Sequence, residues 1–405
     1  MSLMRNRNFS ILFFGQLASI FGNNLFIIAL PWYVFSQTGS KTALAWAGIA
    51  QTLPALAGLF VGVFVDRWSK RRVLVGSDLI RTVLSLLQFW VAFVHGSIWL
   101  LLALVLFAQF IGTFFAPAAS SLIPLLVSQE EIPAATGLNQ SGNAAAELVG
   151  MLSGGALITL LGAPLLFLLN AITFLISVLS LLFVHVEESK SEQEAASSAR
   201  QEWFEGIKAI VQSRMILRIT MGALVANFAF APFDILLTVW VKNVLHGQAY
   251  AFGLIEGSIA VGVLIGGAFL GYVSKKLELR RILTLGLMMM GFGTLLIGLV
   301  PNLYWDISVI LLAGLAMGFV NGSFSAVAMQ TVPKTMLGRV FGTLTALSTL
   351  TIPAGIALFG WLMQFIPIGI LFLIMGIPSI LSGASFLVKI PETVQDEEGS
   401  AVEGA

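Results

Sequence analysis

About a dozen apolar stretches, each roughly 20 residues long, fill this 405-residue chain and leave one short polar insert near its middle. A helix of that length spans the hydrocarbon core of a lipid bilayer. Charged residues make up only 10% of the chain, against about 25% in an average soluble domain. The sequence therefore predicts an all-α integral membrane protein.

The apolar stretches predict twelve transmembrane helices in two pseudo-symmetric bundles of six. The first six are predicted near 8–35, 43–65, 73–95, 98–126, 134–161 and 164–185. The second six are predicted near 216–242, 250–272, 282–300, 306–330, 339–364 and 367–389. The predicted domains are a first bundle at 1–186, a linker at 187–214, a second bundle at 215–390 and a flexible tail at 391–405.

The linker has two parts of different character. Its first part is rich in Glu, Ser and Ala, a composition typical of a flexible segment. Its second part carries Trp203, Phe204, Ile207 and Ile210 at helical spacing, which predicts an amphipathic helix lying on the membrane surface.

The positions of the basic residues predict the orientation of the chain. Of the 21 Lys and Arg residues, all except Lys41, Lys242 and Arg81 fall on the side of the two termini. Loops rich in Lys and Arg stay in the cytoplasm. We therefore expect both termini to be cytoplasmic, in a multi-pass protein of the cell (inner or cytoplasmic) membrane. No small-residue cleavage signal follows the basic start, so we expect the first helix to be retained.

The two halves of the chain repeat one another. Five residues of the first half match five of the second at a constant offset: Gly48, Gly62, Ser69, Lys70 and Arg71 match Gly253, Gly267, Ser274, Lys275 and Lys276. Parallel repeats of a six-helix unit are typical of secondary transporters, whose substrate site lies near the bilayer midplane between the halves.

The loop between the second and third predicted helices carries Gly62, Asp66, Arg67, Lys70 and Arg71 in that order. This pattern resembles the hallmark loop of the major facilitator superfamily, which usually has a second glycine where this chain has Ser69. The resemblance implies close helix packing at the glycine and a conformational gate formed by the charged residues at the cytoplasmic face.

Further segments resemble the third family of drug:proton antiporters, which includes the macrolide-efflux-like proteins. These segments are 19–23, 29–32, 77–81, 115–118, 123–127 and 336–342. Asn23 stands where relatives often have an acid, which argues against proton coupling through the first helix. Met151 replaces a proline in the stretch 150–155, which otherwise resembles the antiporter motif.

Three of the acidic residues within predicted membrane helices are candidates for proton coupling: Glu147, Asp234 and Glu256. A charge at bilayer depth costs at least about 2.5 kcal/mol, so such groups are expected to face a cavity or a partner. For each residue a second interpretation stays open. Glu147 is alternatively a protonated structural hydrogen-bonding group, Asp234 an interhelical polar contact, and Glu256 a side chain that reaches external water.

Polar residues seven apart predict a stripe on one helix of each half, Gln16 with Asn23 and Asn227 with Asp234. We expect both stripes to face a shared cavity. The candidate cavity residues are Gln16, Asn23, Asn24, Phe26, Gln109, Asn227, Phe230 and Asn321, with Trp32 and Trp240 at the cavity or its mouth. Ordinary helix packing or lipid contact explains most of the other aromatic and methionine residues.

Asp78 and Arg81 are three residues apart on a predicted helix and are expected to pair. A purely structural ion pair is the simpler interpretation. The alternative is a gate that also includes Asp66, Arg67 and Arg339. The full set of gate candidates is Gly62, Asp66, Arg67, Lys70, Arg71, Asp78, Arg81 and Arg339.

Several functional classes are excluded or poorly supported. The net charge of +1 gives no reason to expect nucleic acid, and the absence of cysteine excludes disulfides and thiolate metal sites. No HExxH motif or P-loop is present, so we expect neither an enzyme nor a bound cofactor or metal. The expected partners are a small-molecule substrate, protons and membrane lipids, and the protein is expected to be monomeric.

The resemblance and the mid-membrane acids together predict a secondary active exporter. Its expected cargo is a lipophilic cationic or neutral small molecule, moved by proton antiport and alternating access. One alternative is an exporter or flippase of a native metabolite, siderophore or lysolipid. Another is a membrane sensor or scaffold that transports nothing.

Overall fold

The computed structural model describes residues 3–58, 61, 65, 68–185, 207–208, 210–332 and 336–387. Within them the chain forms fourteen α-helices and two short 3-10 helices, Leu3–Arg5 and Gln129–Glu131. The first seven are α1 (Arg7–Thr38), α2 (Lys41–Thr52), α3 (Lys70–Phe93), α4 (Ile98–Gly112), α5 (Phe115–Leu126), α6 (Ile132–Leu161) and α7 (Ala163–Phe183). The second seven are α8 (Arg214–Phe230), α9 (Phe233–Asn243), α10 (Ala249–Val273), α11 (Leu279–Ile297), α12 (Leu303–Thr331), α13 (Leu337–Leu362) and α14 (Ile368–Ser385).

The helices account for the predicted crossings. Within the described residues, eleven helical segments are long and apolar enough to cross a membrane, and two of these segments join α4 to α5 and α8 to α9. The predicted second crossing, 43–65, begins as α2 and continues into residues that lie partly outside the described part. The all-α membrane fold is therefore confirmed, and the eleven segments of the described residues are consistent with twelve crossings in two six-helix bundles. The first part of the linker and the tail 391–405, both predicted to be flexible, lie outside the described residues, as do Trp203 and Phe204.

Local capping residues explain where the long first helix begins and ends. The side chain of Asn6 accepts a hydrogen bond from the backbone nitrogen of Phe9 at 3.1 Å, which satisfies one free N–H of the first turn of α1. At the other end, Gly39 adopts a left-handed φ of 60°, and its N–H donates to the carbonyl of Phe35. Ser40 then caps α2, so the chain reverses direction within a few residues.

Each bundle uses an arginine to join two of its helices. Arg71, in the first turn of α3, donates from Nε to the carbonyl of Leu181 at 3.0 Å and from Nη2 to that of Leu182 at 2.7 Å. Arg280, in the first turn of α11, donates to the carbonyl of Phe386 at 3.0 Å. Both arginines thus cap the end of their bundle's last helix, where carbonyls lack helical partners. The structural counterpart of Arg71 is Arg280, although the sequence repeat aligns it with Lys276.

The two bundles meet at one end of the molecule. We call the end at which the chain begins the terminal end and the opposite one the distal end. A single buried cluster at the distal end contains residues of both bundles, among them Leu44, Phe252 and Ile356. Toward the terminal end, separate clusters hold the two bundles, one around Phe9, Leu74 and Leu122 and others in the second bundle.

Small residues let the backbones approach closely at the distal end. A Cβ added to Gly155 of α6 would lie 2.5 Å from the Cα of Gly253 of α10, and one added to Gly360 of α13 would lie 2.3 Å from the Cβ of Ala45 of α2. Interfaces between membrane helices favour small residues for this reason. The bundles are therefore closed together at the distal end.

Candidate functional site

A cavity of about 470 Å³ lies between the two bundles, on the terminal side of their closed contact. Its described lining comes from α6 of the first bundle and from α8 to α12 of the second. Most of the lining is apolar, and it includes Met151, Phe230, Met290 and Met317. Polar and acidic groups occupy a few positions on these walls. A mostly apolar space with a few polar groups is typical of a small-molecule site.

A break between α8 and α9 positions Asp234. The chain leaves α8 at Phe230 and re-enters a helix at Phe233, with Pro232 at the break. Proline ends a helix because it lacks the N–H that the helical hydrogen bond needs. Asp234 follows in the first turn of α9, at the positive end of that helix, and its side chain is exposed to the cavity.

Glu256 lies beside Asp234. It belongs to α10, is only 5% exposed, and its carboxyl group lies next to that of Asp234 on the cavity wall. One of its oxygens, Oε1, has no hydrogen-bond partner in the described part of the chain. Two neighbouring carboxyl groups that are both ionised repel one another. Their proximity therefore favours a pair that holds at least one proton.

Glu147 occupies the opposite wall, on α6 of the first bundle, and is exposed to the cavity. Its depth can be counted from the contact of Gly155 in α6 with Gly253 in α10, where the two helices run in opposite directions. Glu147 precedes Gly155 by eight residues and so lies about 12 Å from this contact toward the terminal end. Glu256 follows Gly253 by three residues and so lies only about 4.5 Å from the contact in the same direction. The structure therefore brings the three predicted acids to one cavity, with Glu147 nearer the terminal end.

A second, smaller cavity of about 160 Å³ adjoins the first within the second bundle. It shares Phe230, Met290, Met317 and Asn321 with the larger cavity and is also lined by Asn227. Methionine and phenylalanine side chains can fill irregular apolar shapes. The predicted cavity residues Asn227, Phe230 and Asn321 are thus placed together.

The cavity candidates of the first half lie elsewhere. Gln16 is 3% exposed within the first bundle, and Asn24 donates to the carbonyl of Ile20 in its own helix at 2.9 Å. Phe26 packs against Phe167 with a ring separation of 5.2 Å. Gln109 is half-buried on α4 and is not part of the cavity lining given by the described residues.

Asn23 shows why the predicted polar stripe of α1 fails to reach the cavity. Its side-chain oxygen accepts a hydrogen bond from Nη2 of Arg81 at 3.2 Å, inside the first bundle. Helical spacing gives a shared face but not the neighbour that this face contacts. The buried arginine attracts the amide, so the prediction of a stripe from each half toward one cavity is wrong for the first half.

The predicted pair of Asp78 and Arg81 is buried in the same place. Nη1 of Arg81 lies 3.4 Å from Oδ1 of Asp78, and the guanidinium carbon lies 3.9 Å from the ring centroid of Phe174. Asp78 is 0% exposed and Arg81 8%. The pair therefore links α3 to α1 and α7 within one bundle.

Of the other gate candidates, Lys70 donates to the carbonyl of Val65 at 3.0 Å, and Arg71 caps α7 as described above. Gly62, Asp66 and Arg67 lie outside the described residues, as does the side chain of Arg339. Their role as a gate stays a prediction.

Three polar contacts at the distal end escaped the sequence analysis. Lys41 donates across the bundle interface to the carbonyl of Met363 at 2.6 Å. The ammonium of Lys242 lies 5.8 Å from the ring centroid of Trp32 and 5.7 Å from that of Phe35. The two lysines are the basic residues that the sequence places outside the cytoplasm. Because few basic residues lie on that side, their position could have marked them as residues with a structural role.

The third missed contact is within the second bundle. Asp306 is 0% exposed and accepts a hydrogen bond from Nε1 of Trp240 at 2.8 Å. Trp240, predicted at the cavity or its mouth, instead packs edge-on against Phe372 with its polar atom on this carboxyl group. An acid at the start of an apolar stretch was the available signal for Asp306.

Comparison with known proteins places the chain among membrane transporters. The family model described as Major Facilitator Superfamily matches residues 12–356 and 245–404. Macrolide efflux protein A of Streptococcus pyogenes is 26% identical over 353 residues, covering 85% of this chain and 86% of that protein. The multidrug efflux pump Tap of Mycolicibacterium fortuitum is 23% identical over 394 residues, covering 94% and 96%. The crystal structure of nucleoside transporter NupG superposes with a TM-score of 0.78 at 12% identity, covering 94% and 98%.

Proposed function

The chain belongs to the major facilitator superfamily, and on that basis we propose that it is a secondary exporter of lipophilic, cationic or neutral small molecules. It works by alternating access and is driven by proton antiport. The observation that carries this proposal is the cavity between the bundles. Its apolar walls hold Glu147, Asp234 and Glu256, and its described lining includes no Lys or Arg. Such a space favours an apolar cargo with a positive or no charge.

The position of the closed contact supports uptake from the cytoplasm. The bundles are joined at the distal end, so the cavity is reached from the terminal end. The distribution of Lys and Arg supports a cytoplasmic position for the terminal end. This conformation is then the one in which an exporter takes up its cargo.

The relatives support the direction of transport. Two proteins that align with most of this chain are named as efflux proteins, one for macrolides and one for multiple drugs. Their names support export from the cell and a cargo of drug size. The alignments cover 85% and 94% of this chain, so the similarity extends over both bundles.

Protons provide the driving force through the acids of the cavity. Binding of a proton removes negative charge that holds a cationic cargo, so proton and cargo binding are coupled with opposite sign. A ligand shifts a conformational equilibrium only by its difference in affinity for the two states. A proton that reaches the cavity from the outside therefore promotes release of the cargo and return to the cytoplasm-facing state.

The test is transport of ethidium, a lipophilic fluorescent cation, by the full chain in proteoliposomes. With the lumen acidic, ethidium is expected to accumulate in the lumen as protons leave, and the accumulation is expected to stop when the gradient is dissipated. For substitutions of the cavity acids, Glu278→Gln is the matched control, because Glu278 is an exposed glutamate outside the cavity, 74% accessible.

Two results would overturn the proposal. The first is transport that is equal with and without the pH gradient, which removes proton coupling. The second is no transport of ethidium or of an uncharged lipophilic dye by the wild-type protein. That result would favour a lipid or a native metabolite as the cargo.

A further inference from the structure

The three acids share one cavity but have different neighbours. Asp234 and Glu256 lie next to one another, whereas Glu147 stands on the other bundle, about 7.5 Å nearer the terminal end along the helix axes. We infer that the acids divide the work: Asp234 and Glu256 form one proton-holding pair, and Glu147 is the residue that selects a cation as cargo. This inference rests on the proposed function and assigns roles within its site.

Burial explains why the pair suits a proton and excludes a bulky cation. Glu256 is 5% exposed, so a lipophilic cation cannot surround its carboxyl group, while a proton needs no such space. The unpartnered Oε1 of Glu256 offers a further acceptor in the same place. Asp234 is exposed to the cavity and lies next to Glu256, so protons that enter the cavity reach the pair through it.

The charged groups around the pair favour this role. Across the cavity stands Glu147, and α11 and α12 contribute Met290, Thr294 and Asn321 to the lining. Two turns along α9 from Asp234, the ammonium of Lys242 lies over the rings of Trp32 and Phe35. The other acid nearby, Asp306, is bonded to Trp240. Among the described lining residues the pair therefore has no basic partner, and a proton is left as its neutralising cation.

Glu147 has the opposite properties. Its side chain is exposed to the cavity, and the residues one turn before it and directly after it in the lining are the apolar Ala144 and Leu148. Phe230, Met290 and Met317 lie on the facing side of the same space. A carboxylate in an otherwise apolar wall can hold the charged centre of a cation while the aromatic and methionine side chains contact its apolar groups. A cargo entering from the terminal end meets Glu147 before it meets the pair.

The division of work predicts that the two sites respond differently to neutralisation. Glu147→Gln leaves the proton-holding pair intact but removes the charge that attracts the cation. Glu256→Gln keeps the shape of the pair and a hydrogen-bonding group for Asp234, but the amide cannot bind and release a proton. Glu147→Asp retains the charge on a shorter side chain and serves as the conservative variant.

The experiment uses tetraphenylphosphonium, whose charge is permanent, with the full-length protein. Equilibrium binding is measured in detergent at one pH. In proteoliposomes, exchange of the cation without a gradient is compared with accumulation driven by an acidic lumen. Glu147→Gln is expected to weaken binding by about tenfold or more, as expected for the loss of one member of a desolvated charge pair. Glu147→Asp is expected to restore most of the affinity.

Glu256→Gln is expected to give the complementary result, which is retained binding and retained exchange with loss of accumulation driven by the gradient. The inference is overturned if Glu147→Gln binds the cation as well as wild type, or if Glu256→Gln loses binding and gradient-driven accumulation together. Neither of these outcomes contradicts the proposed export function, because the wild-type protein still transports. Absence of binding by wild type instead contradicts the proposed function itself. Glu278→Gln again controls for loss of an exposed glutamate.

Discussion

The ammonium nitrogen of Lys41 lies 2.6 Å from the backbone carbonyl oxygen of Met363 and so joins the two bundles at the distal end. Lys41 begins α2, and Met363 is the residue that caps the end of α13. The last carbonyls of a helix lack helical partners, and a cation near them is stabilised by the helix dipole. The lysine therefore stabilises the closed distal contact.

Lys41→Met is expected to open the distal end more often, because the carbonyl of Met363 then loses its cation. The chain contains no cysteine, so one introduced thiol reports on this opening. Ala45 is 7% exposed and faces Gly360 across the interface. The rate at which Ala45→Cys reacts with a membrane-impermeant maleimide should rise several-fold in the Lys41→Met background. Lys276→Met, which removes an exposed bond to Tyr272, should leave that rate unchanged, and an equal rise in both would argue against the contact.

Gly253→Ala is expected to prevent full closure of the distal end. The added Cβ would lie 2.4 Å from the Cα of Gly155, and a backbone cannot move aside as a side chain does. Overpacking of this kind costs about 1–3 kcal/mol, so we expect faster thiol labelling of Ala45→Cys and slower transport from a folded protein. Gly267→Ala is the control on the same helix, since nothing lies within 4 Å of its added Cβ. Equal behaviour of the two variants would contradict the prediction.

Trp240→Phe is expected to destabilise the second bundle. The change leaves the buried carboxyl of Asp306 without the donor that it accepts from at 2.8 Å. An orphaned buried polar group costs about 1–3 kcal/mol. The midpoint of thermal unfolding in detergent should fall, and it should fall less for Trp305→Phe, which removes a bond from a half-exposed tryptophan to the carbonyl of Leu296. Replacement of both partners, Trp240→Phe with Asp306→Leu, should recover part of the loss.

Asp78→Leu is expected to be more damaging, because it leaves the guanidinium of Arg81 buried at 8% exposure without its carboxylate. Removal of one partner of a buried ion pair costs about 3–5 kcal/mol. We expect a large loss of folded protein, measured by thermal unfolding and by the monodisperse yield. Arg281→Gln removes the exposed pair with Glu278, whose side chains are 70% and 74% accessible. That change should alter the unfolding midpoint little, and a loss as large as that of Asp78→Leu would count against the role of burial.

The properties that sequence predicted well are local ones. The crossings follow from apolar length, and the pair of Asp78 and Arg81 follows from a spacing of three on one helix. Each of these depends on residues near one another in the chain. The same is true of the three mid-membrane acids. Hydropathy alone places them at bilayer depth, where a charge costs free energy, and so marks them as functional candidates.

Contacts between distant helices were beyond such reasoning. The proximity of Asp234 to Glu256 depends on the break at Pro232 and on the way α9 lies beside α10. The hydrogen bond from Arg81 to Asn23, which holds Asn23 inside the first bundle, depends on the packing of α1 against α3. Helical periodicity states which residues share a face, whereas the partner of that face is set by the packing of the whole bundle.

The walls of the cavity are contributed unequally by the two repeats. In the described part of the lining, the first bundle supplies one helix, α6, and the second supplies the rest. Substitutions in α8 to α12 that spare closure residues such as Gly253 can therefore reshape the space for a new cargo. Variants selected for altered substrate range should accumulate in the second half of the chain.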